Sequence, residues 1–169
     1  MSSQGHHLFT LLSCLRALQA GSQLVRRLDD PKAADFYTAQ AQRIIDILPA
    51  FWDDKDYWRA SARIDGDWSK SYGSERTGLD CAFPLSVIHG GSQDLLAAHD
   101  PETLATLRAY LMSFEGMYSI NRSPGNPATG SLRKGRTHEA SRPWRDGRAV
   151  GRYSEDIYNG IGVSRGNPW

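Results

Sequence analysis

The chain has little cysteine, almost no net charge and no long apolar run. Only two cysteines occur in 169 residues, Cys14 and Cys81. They are far apart and form no CxxC pair. A bridge between them cannot be read from sequence, and two buried thiols on helices is the simpler expectation. The net charge is +1, so no global excess draws the chain to nucleic acid or to an anionic membrane. No stretch approaches the roughly 20 consecutive apolar residues of a membrane span. The five histidines (His6, His7, His89, His99, His138) form no HExxH or comparable spacing, and no cysteine lies near them. Asp54–Lys55–Asp56 and Asp65–Gly66–Asp67 resemble scraps of a calcium loop, but its glycine and closing glutamate are missing. No glycine-rich loop opens a helix to cradle phosphate. Neither metal nor cofactor is therefore expected.

What is present is enough for one ordinary domain. The hydrophobic fraction is 40% and the charged fraction 23%, a globular rather than a disordered composition. Leu8, Leu11, Leu12, Leu15, Leu18, Val25 and Leu28 recur at three- and four-residue steps and predict an amphipathic helix over 6–28. Leu8 to Leu15 also resembles the apolar stretch of a signal peptide. A basic n-region is missing, however, and Arg16 sits where a small-residue cleavage zone would begin. Asp30 offers an N-cap and Pro31 a first helical position for a second helix. Tyr37, Ala41, Ile44, Ile45, Leu48 and Phe51 form its expected buried face, and Pro49 cuts it short. Leu79 to His89 reads as a shorter helix capped by Asp80. Asp100–Pro101–Glu102 starts another, with Leu104, Leu107, Leu111, Phe114 and Tyr118 as its stripe.

The connectors are long. Phe51 to Gly78 holds Trp52, Trp58, Trp68 and Tyr72 among alternating charges, with a short strand expected around Tyr57 to Ile64. Asn121 to Val150 is rich in glycine, proline, serine and arginine. Six lysines and arginines fall within Ser131 to Arg148, with Trp144 among them. That could serve as a nucleic-acid arm. The rest of the chain shows no matching basic face, so 122–150 is expected to be a flexible, solvated basic insertion. Asn121–Arg122–Ser123 fits the N-glycosylation acceptor pattern, with Pro124 directly after it. Helices joined by long loops suit a helical toroid whose loops gather into a site at one end.

The closing stretch, Gly151 to Trp169, carries the most chemistry. It gathers Arg152, Tyr153, Glu155, Asp156, Tyr158, Asn159 and Trp169 among glycines and a proline. A guanidinium can donate two parallel hydrogen bonds to vicinal hydroxyls or to an orienting carboxylate, and Asp156 lies four residues on. Tyrosine and tryptophan present flat apolar faces with polar edges. These are the groups that hold a polyhydroxylated ring, although composition alone also fits a glycine-rich surface loop.

The pattern GRYSED…YNG…GNPW resembles the GRYPED…YNGNPW signature of glucoamylases, the glucan 1,4-alpha-glucosidases of glycoside hydrolase family 15. Upstream, SSQGHHLFTLLSCLRALQAG is similar to the helix that follows the family's Trp-Glu-Glu general-acid motif. RTGLDCAFPLSVIHG resembles a mid-domain helix of the family, and SFEGMYSIN the helix leading toward the signature. The resemblance covers nearly the whole chain and is weakest across Ser123 to Arg148. It implies a mostly α fold: 1–169 as part of a single catalytic domain, an incomplete arc of an α/α toroid of the six-hairpin, (α/α)6 barrel type. It implies a secreted, starch-degrading, inverting and exo-acting enzyme that releases glucose from starch and maltooligosaccharides without a cofactor. No nucleic-acid or membrane partner is implied.

Carried over by position, Arg152 matches a sugar-binding arginine, and Tyr153, Asp156 and Trp169 match further sugar-contacting or site-shaping positions. Ser154 stands where proline is usual, and Ile161 to Arg165 lengthens the stretch before GNPW. Both catalytic carboxylates of the family are expected outside these residues, the acid before Met1 and the base beyond Trp169. Glu75, Asp80, Glu155 and Asp156 match neither role, so no catalytic residue is assigned and the chain is expected to be inactive alone. The alternative from another class is a non-catalytic carbohydrate- or partner-binding protein.

Overall fold

The computed structural model describes residues 6–62, 77–92, 95–118, 121 and 148–156. The chain divides into two units, Met1–Tyr110 and Leu111–Trp169. The described structure is mostly helical: β1 (His6–His7), α1 (Leu8–Arg27), α2 (Pro31–Ile47), a 3-10 turn (Leu48–Phe51), β2 (Ser61–Ala62), α3 (Ala82–Gly90) and α4 (Pro101–Met112).

In the first unit, α1 lies against both α2 and α3. Leu8, Leu12 and Leu15 on one face of α1 are buried with Ala41, Leu48, Phe51, Ala62, Phe83 and Leu96. The period seen in the sequence packs from Leu8 to Leu18, while Leu28 at the end of the expected stripe is 69% exposed. By length and composition α1 could cross a membrane, with a mean hydropathy of 1.2 over 18 of its 20 residues. Here its apolar face is the centre of a protein core, and Arg16, Arg26 and Arg27 ride on the same helix. A polar seam closes its far end on α2: the Ser22 hydroxyl donates to the Ala34 carbonyl at 3.1 Å and lies 3.0 Å from the Thr38 hydroxyl.

The helix-start signals are realised locally. Ala33 N–H donates to the Asp30 carboxylate at 3.0 Å, with Pro31 in the first turn of α2. Ala82 N–H donates to Asp80 at 2.8 Å ahead of α3. Asp100 instead turns its carboxylate back, accepting from Ala97 N–H at 2.8 Å while its carbonyl accepts from Leu104 N–H. At Gly90, α3 touches α1. A methyl group there would lie 2.8 Å from the carbonyl carbon of Leu12 and closer still to its Cβ.

Several expectations are corrected. The first helix starts at Leu8, because His6 and His7 pair antiparallel with Ala62 and Ser61. Among the described residues the strand expected around Tyr57 to Ile64 is realised as this short β2 and an isolated bridge between Trp52 and Trp58, while 63 and 64 lie outside them. On α2, Ile45 is off the buried face at 36% exposure, and Ala34 is buried in place of Tyr37, which is half-buried. On α4, Leu104 is 51% exposed while Thr103, Thr106 and Tyr110 are buried. The threonine at 106 tolerates burial because its hydroxyl donates to the Glu102 carbonyl at 2.8 Å and accepts from Trp58 N–H at 3.0 Å. Cys14 and Cys81 form no disulfide, and against the expectation of two buried thiols Cys14 is exposed and Cys81 half-buried. Of the basic insertion expected at 122–150, residues 122–147 lie outside the described residues.

Candidate functional site

The described part of the closing motif belongs to the second unit, and three fastenings precede it. Arg148 pairs with Glu115 at 3.7 Å. Ala149 is bonded twice to the side chain of Asn121: its N–H donates to Oδ1 at 2.8 Å, and its carbonyl accepts from Nδ2 at 2.7 Å. The other bond of that amide runs from Nδ2 to the Phe114 carbonyl at 2.9 Å. Gly151 then presses on the turn that follows α4. A methyl group there would sit 2.8 Å from Tyr118 Oη and 3.3 Å from Phe114 Cε1, so glycine is what lets the backbone come this close. Phe114 and Tyr118 stack with centroids 6.1 Å apart and planes 12° apart, giving a flat support. At this position the glycine allows backbone-to-aromatic contact.

Beyond the support the chain turns. Asp156 N–H donates to the Tyr153 carbonyl at 3.1 Å, closing a tight turn with Ser154 buried inside it. The turn sets Arg152 and Asp156 side by side. Arg152 donates from Nε at 2.8 Å and from Nη2 at 2.7 Å to a single oxygen, Oδ2 of Asp156. The carboxylate therefore orients the guanidinium, with its side chain 15% exposed against 40% for that of Arg152. The guanidinium carbon also sits 5.3 Å from the centre of the Tyr153 ring, a cation–π contact. One face of Tyr153 is thus occupied by Arg152, so a sugar stacking on this ring would have to use the opposite face. The structure brings together three of the four expected site residues, Arg152, Tyr153 and Asp156. Trp169 lies outside the described residues.

Sequence reasoning missed Asn121 as a site-building residue. It noted only that the position fits a glycan-acceptor pattern with Pro124 set against its use, whereas the side chain is 7% exposed and both its donors and its acceptor are engaged. The folded chain does not present that amide for modification. The only available signal was an asparagine just after a helix, too common a pattern to single out.

A second polar cluster lies in the first unit. Asp53 is 2% exposed and ion-paired with Arg59 through Arg59 Nε and Nη2. Burial pushes the Asp53 carboxyl upward. Lys55 N–H, the Asp54 side chain and the Arg59 guanidinium outweigh it and hold the pKa below its ordinary 3.8. Asp53 N–H donates to the Tyr57 carbonyl at 2.8 Å, and the rings of Trp52 and Trp58 meet edge-to-face at 5.4 Å. The cluster is a loop brace: its carboxylate is neutralised in place. A shallow open groove lined by Cys14, Leu18, Ile44 and Ile47 runs between α1 and α2 and carries none of the motif residues. Among the described residues no group of three His, Cys, Asp or Glu could hold a metal.

Comparison with known proteins decides the family. Residues 2–169 match the family model of glycosyl hydrolases family 15. The chain belongs to that family. It is 29% identical over 164 residues to a glucoamylase of Blastobotrys adeninivorans, covering 96% of this chain and 23% of that protein. It is 29% identical over 167 residues to glucoamylase 1 of Rhizopus oryzae, covering 98% of this chain and 24% of that protein. The intracellular sporulation-specific glucoamylase of Saccharomyces cerevisiae is 28% identical over 176 residues, covering 98% of this chain and 28% of that protein. Among solved structures, a glucoamylase from Saccharomycopsis fibuligera shares the fold with a TM-score of 0.71 at 22% identity, over 96% of this chain and 30% of that one. This family 15 chain thus spans about a quarter of the length of the first two relatives. The mostly helical architecture and the family expected from the GRYSED motif are both established.

Proposed function

We propose that the chain is the sugar-gripping part of a glucoamylase. The whole protein would hydrolyse α-1,4-glucosidic bonds at the non-reducing ends of starch and maltooligosaccharides, with inversion. One observation carries this reading: Asp156 holds the guanidinium of Arg152 at the motif position where the family resemblance puts a sugar-binding arginine. A guanidinium fixed before ligand arrives loses less rotamer freedom on binding. Tyr153 and Trp169 would add faces and edges for the ring. The alignment with about a quarter of the relatives' length supports an incomplete arc of the toroid.

Inverting hydrolysis needs a carboxylic acid to protonate the glycosidic oxygen. It also needs a carboxylate about 6.5–9.5 Å away to activate water on the opposite face of the ring. We assign neither to this chain. Asp80 is engaged with Ala82 N–H in the turn ahead of α3, and Asp53 is the partner of Arg59. The residues of the motif bind and orient; they do not cleave. The intracellular relative in yeast means that membership of the family does not by itself carry secretion.

Calorimetric titration with maltotriose tests the reading. Saturable binding is expected, lost on Arg152→Ala, with no glucose released from maltose or soluble starch by these 169 residues. Binding that survives Arg152→Ala would overturn the grip, and appreciable glucose release would overturn the division of labour.

A further inference from the structure

The sugar-gripping arginine does not position itself. Its carboxylate partner lies on the same tight turn, so the Arg152–Asp156 pair fixes the guanidinium relative to that turn. The segment just before the turn ties it to the rest of its unit. That segment crosses the end of the α4 turn, where its backbone is held by one side chain. We propose that Asn121 is a positioning residue for Arg152, a role that rests on the sugar-gripping reading of the motif.

The chemistry of the amide suits the task. Asparagine has two N–H donors and one carbonyl acceptor on a short arm. Here one donor goes to the Phe114 carbonyl and the other to the Ala149 carbonyl, while the oxygen accepts from Ala149 N–H. The side chain thus copies a strand partner for Ala149 and ties it to the helix-end turn in one step. Its own N–H donates to the Tyr118 carbonyl at 3.0 Å, which fixes the amide from behind. Ala149 is three residues before Arg152, and Gly151 between them rests on the Phe114–Tyr118 stack. The clamp and the stack therefore define where the Arg152 backbone emerges. No other common side chain reproduces two donors and one acceptor at this length. Aspartate keeps the acceptor but turns carboxylate oxygen toward two carbonyls, and alanine removes all three bonds.

Asn121→Asp and Asn121→Ala are to be compared with the unchanged chain by maltotriose titration and by NMR exchange of the Ala149 amide and the Arg152 Nε–H. Binding is expected to weaken by about tenfold or more in both variants, the loss associated with about 1.4 kcal/mol. The Arg152 Nε–H is expected to exchange faster, while the Phe114 and Met117 amides of the same unit keep their protection. A purely structural role would lower protection at Phe114 and Met117 as well and leave the bonded Arg152 Nε–H unchanged in the folded fraction. Should Asn121→Ala fail to fold, Asn121→Asp keeps the volume and the Ala149 acceptor and carries the comparison. If the unchanged chain binds no maltotriose, the sugar-gripping reading fails, and the positioning role then stands or falls on Arg152 Nε–H exchange alone. Equal affinity and equal Arg152 Nε–H exchange in all three proteins would overturn the proposal.

Discussion

Gly90→Ala should destabilise the first unit, and the structure supplies the magnitude. The added methyl group would lie 2.8 Å from the Leu12 carbonyl carbon and 3.0 Å from its oxygen, and closer still to Leu12 Cβ. Two of those atoms are backbone in the middle of the first half of α1, so no rotamer change relieves the clash. Either α3 moves off α1 or the helix bends. Overpacking of this kind costs about 1–3 kcal/mol. Alanine regains up to about 1 kcal/mol of helix propensity over glycine, and less at the last residue of a helix. With about 0.5 kcal/mol regained, the net expectation is a loss of about 0.5–2.5 kcal/mol. Gly116→Ala is the internal control: nothing lies within 4 Å of its would-be methyl group. There the reduced freedom of the unfolded chain should stabilise by about 0.4–1 kcal/mol. Urea unfolding of both variants at low protein concentration would measure the difference, with amide exchange in α1 and α3 reporting the first unit. A Gly90→Ala chain as stable as the original would refute the claim that α3 packs on α1 through this contact.

Asp53 supplies a pH dependence. Its folded pKa lies below 3.8, so the folded state holds the carboxylate while the unfolded chain takes up a proton. That contribution is complete above the unfolded pKa and is lost as pH falls through the folded one. The unchanged chain should therefore lose stability below about pH 4 more steeply than Asp53→Asn. Parallel acid titrations of the two, followed by unfolding midpoint, check the sign. Arg59→Ala, which strands a buried carboxylate, should cost about 2–4 kcal/mol at neutral pH. That is less than for a fully buried pair, because the Arg59 side chain is 25% exposed. Leu24, Leu28, Phe36 and Ile88 are each more than half exposed, with Ile88 at 73%. The 169 residues alone should therefore self-associate at high concentration, and light scattering showing a strict monomer throughout would contradict this.

The local geometry of the candidate site was legible because its signals are short. GRYSED places an arginine and an aspartate four residues apart with a turn between them, and the structure pairs them through that turn. The clamp was not legible, because Asn121 acts on Ala149 and nothing in the residues between them announces the pairing. Helix starts were readable for the same local reason: Asp30 reaches Ala33, and Asp80 reaches Ala82.

By itself the sequence determined the elements whose forces act within about one helical turn: proline-started helices, carboxylate caps and the leucine period of α1. Only the tertiary structure decided which stripe of each helix is covered. Thr106 is buried and Leu104 exposed because Trp58 N–H comes from a distant loop to meet the threonine hydroxyl. Gly90 is required because Leu12 lies across from it. Burial depends on what stands opposite, and residues opposite one another in space are rarely neighbours along the chain.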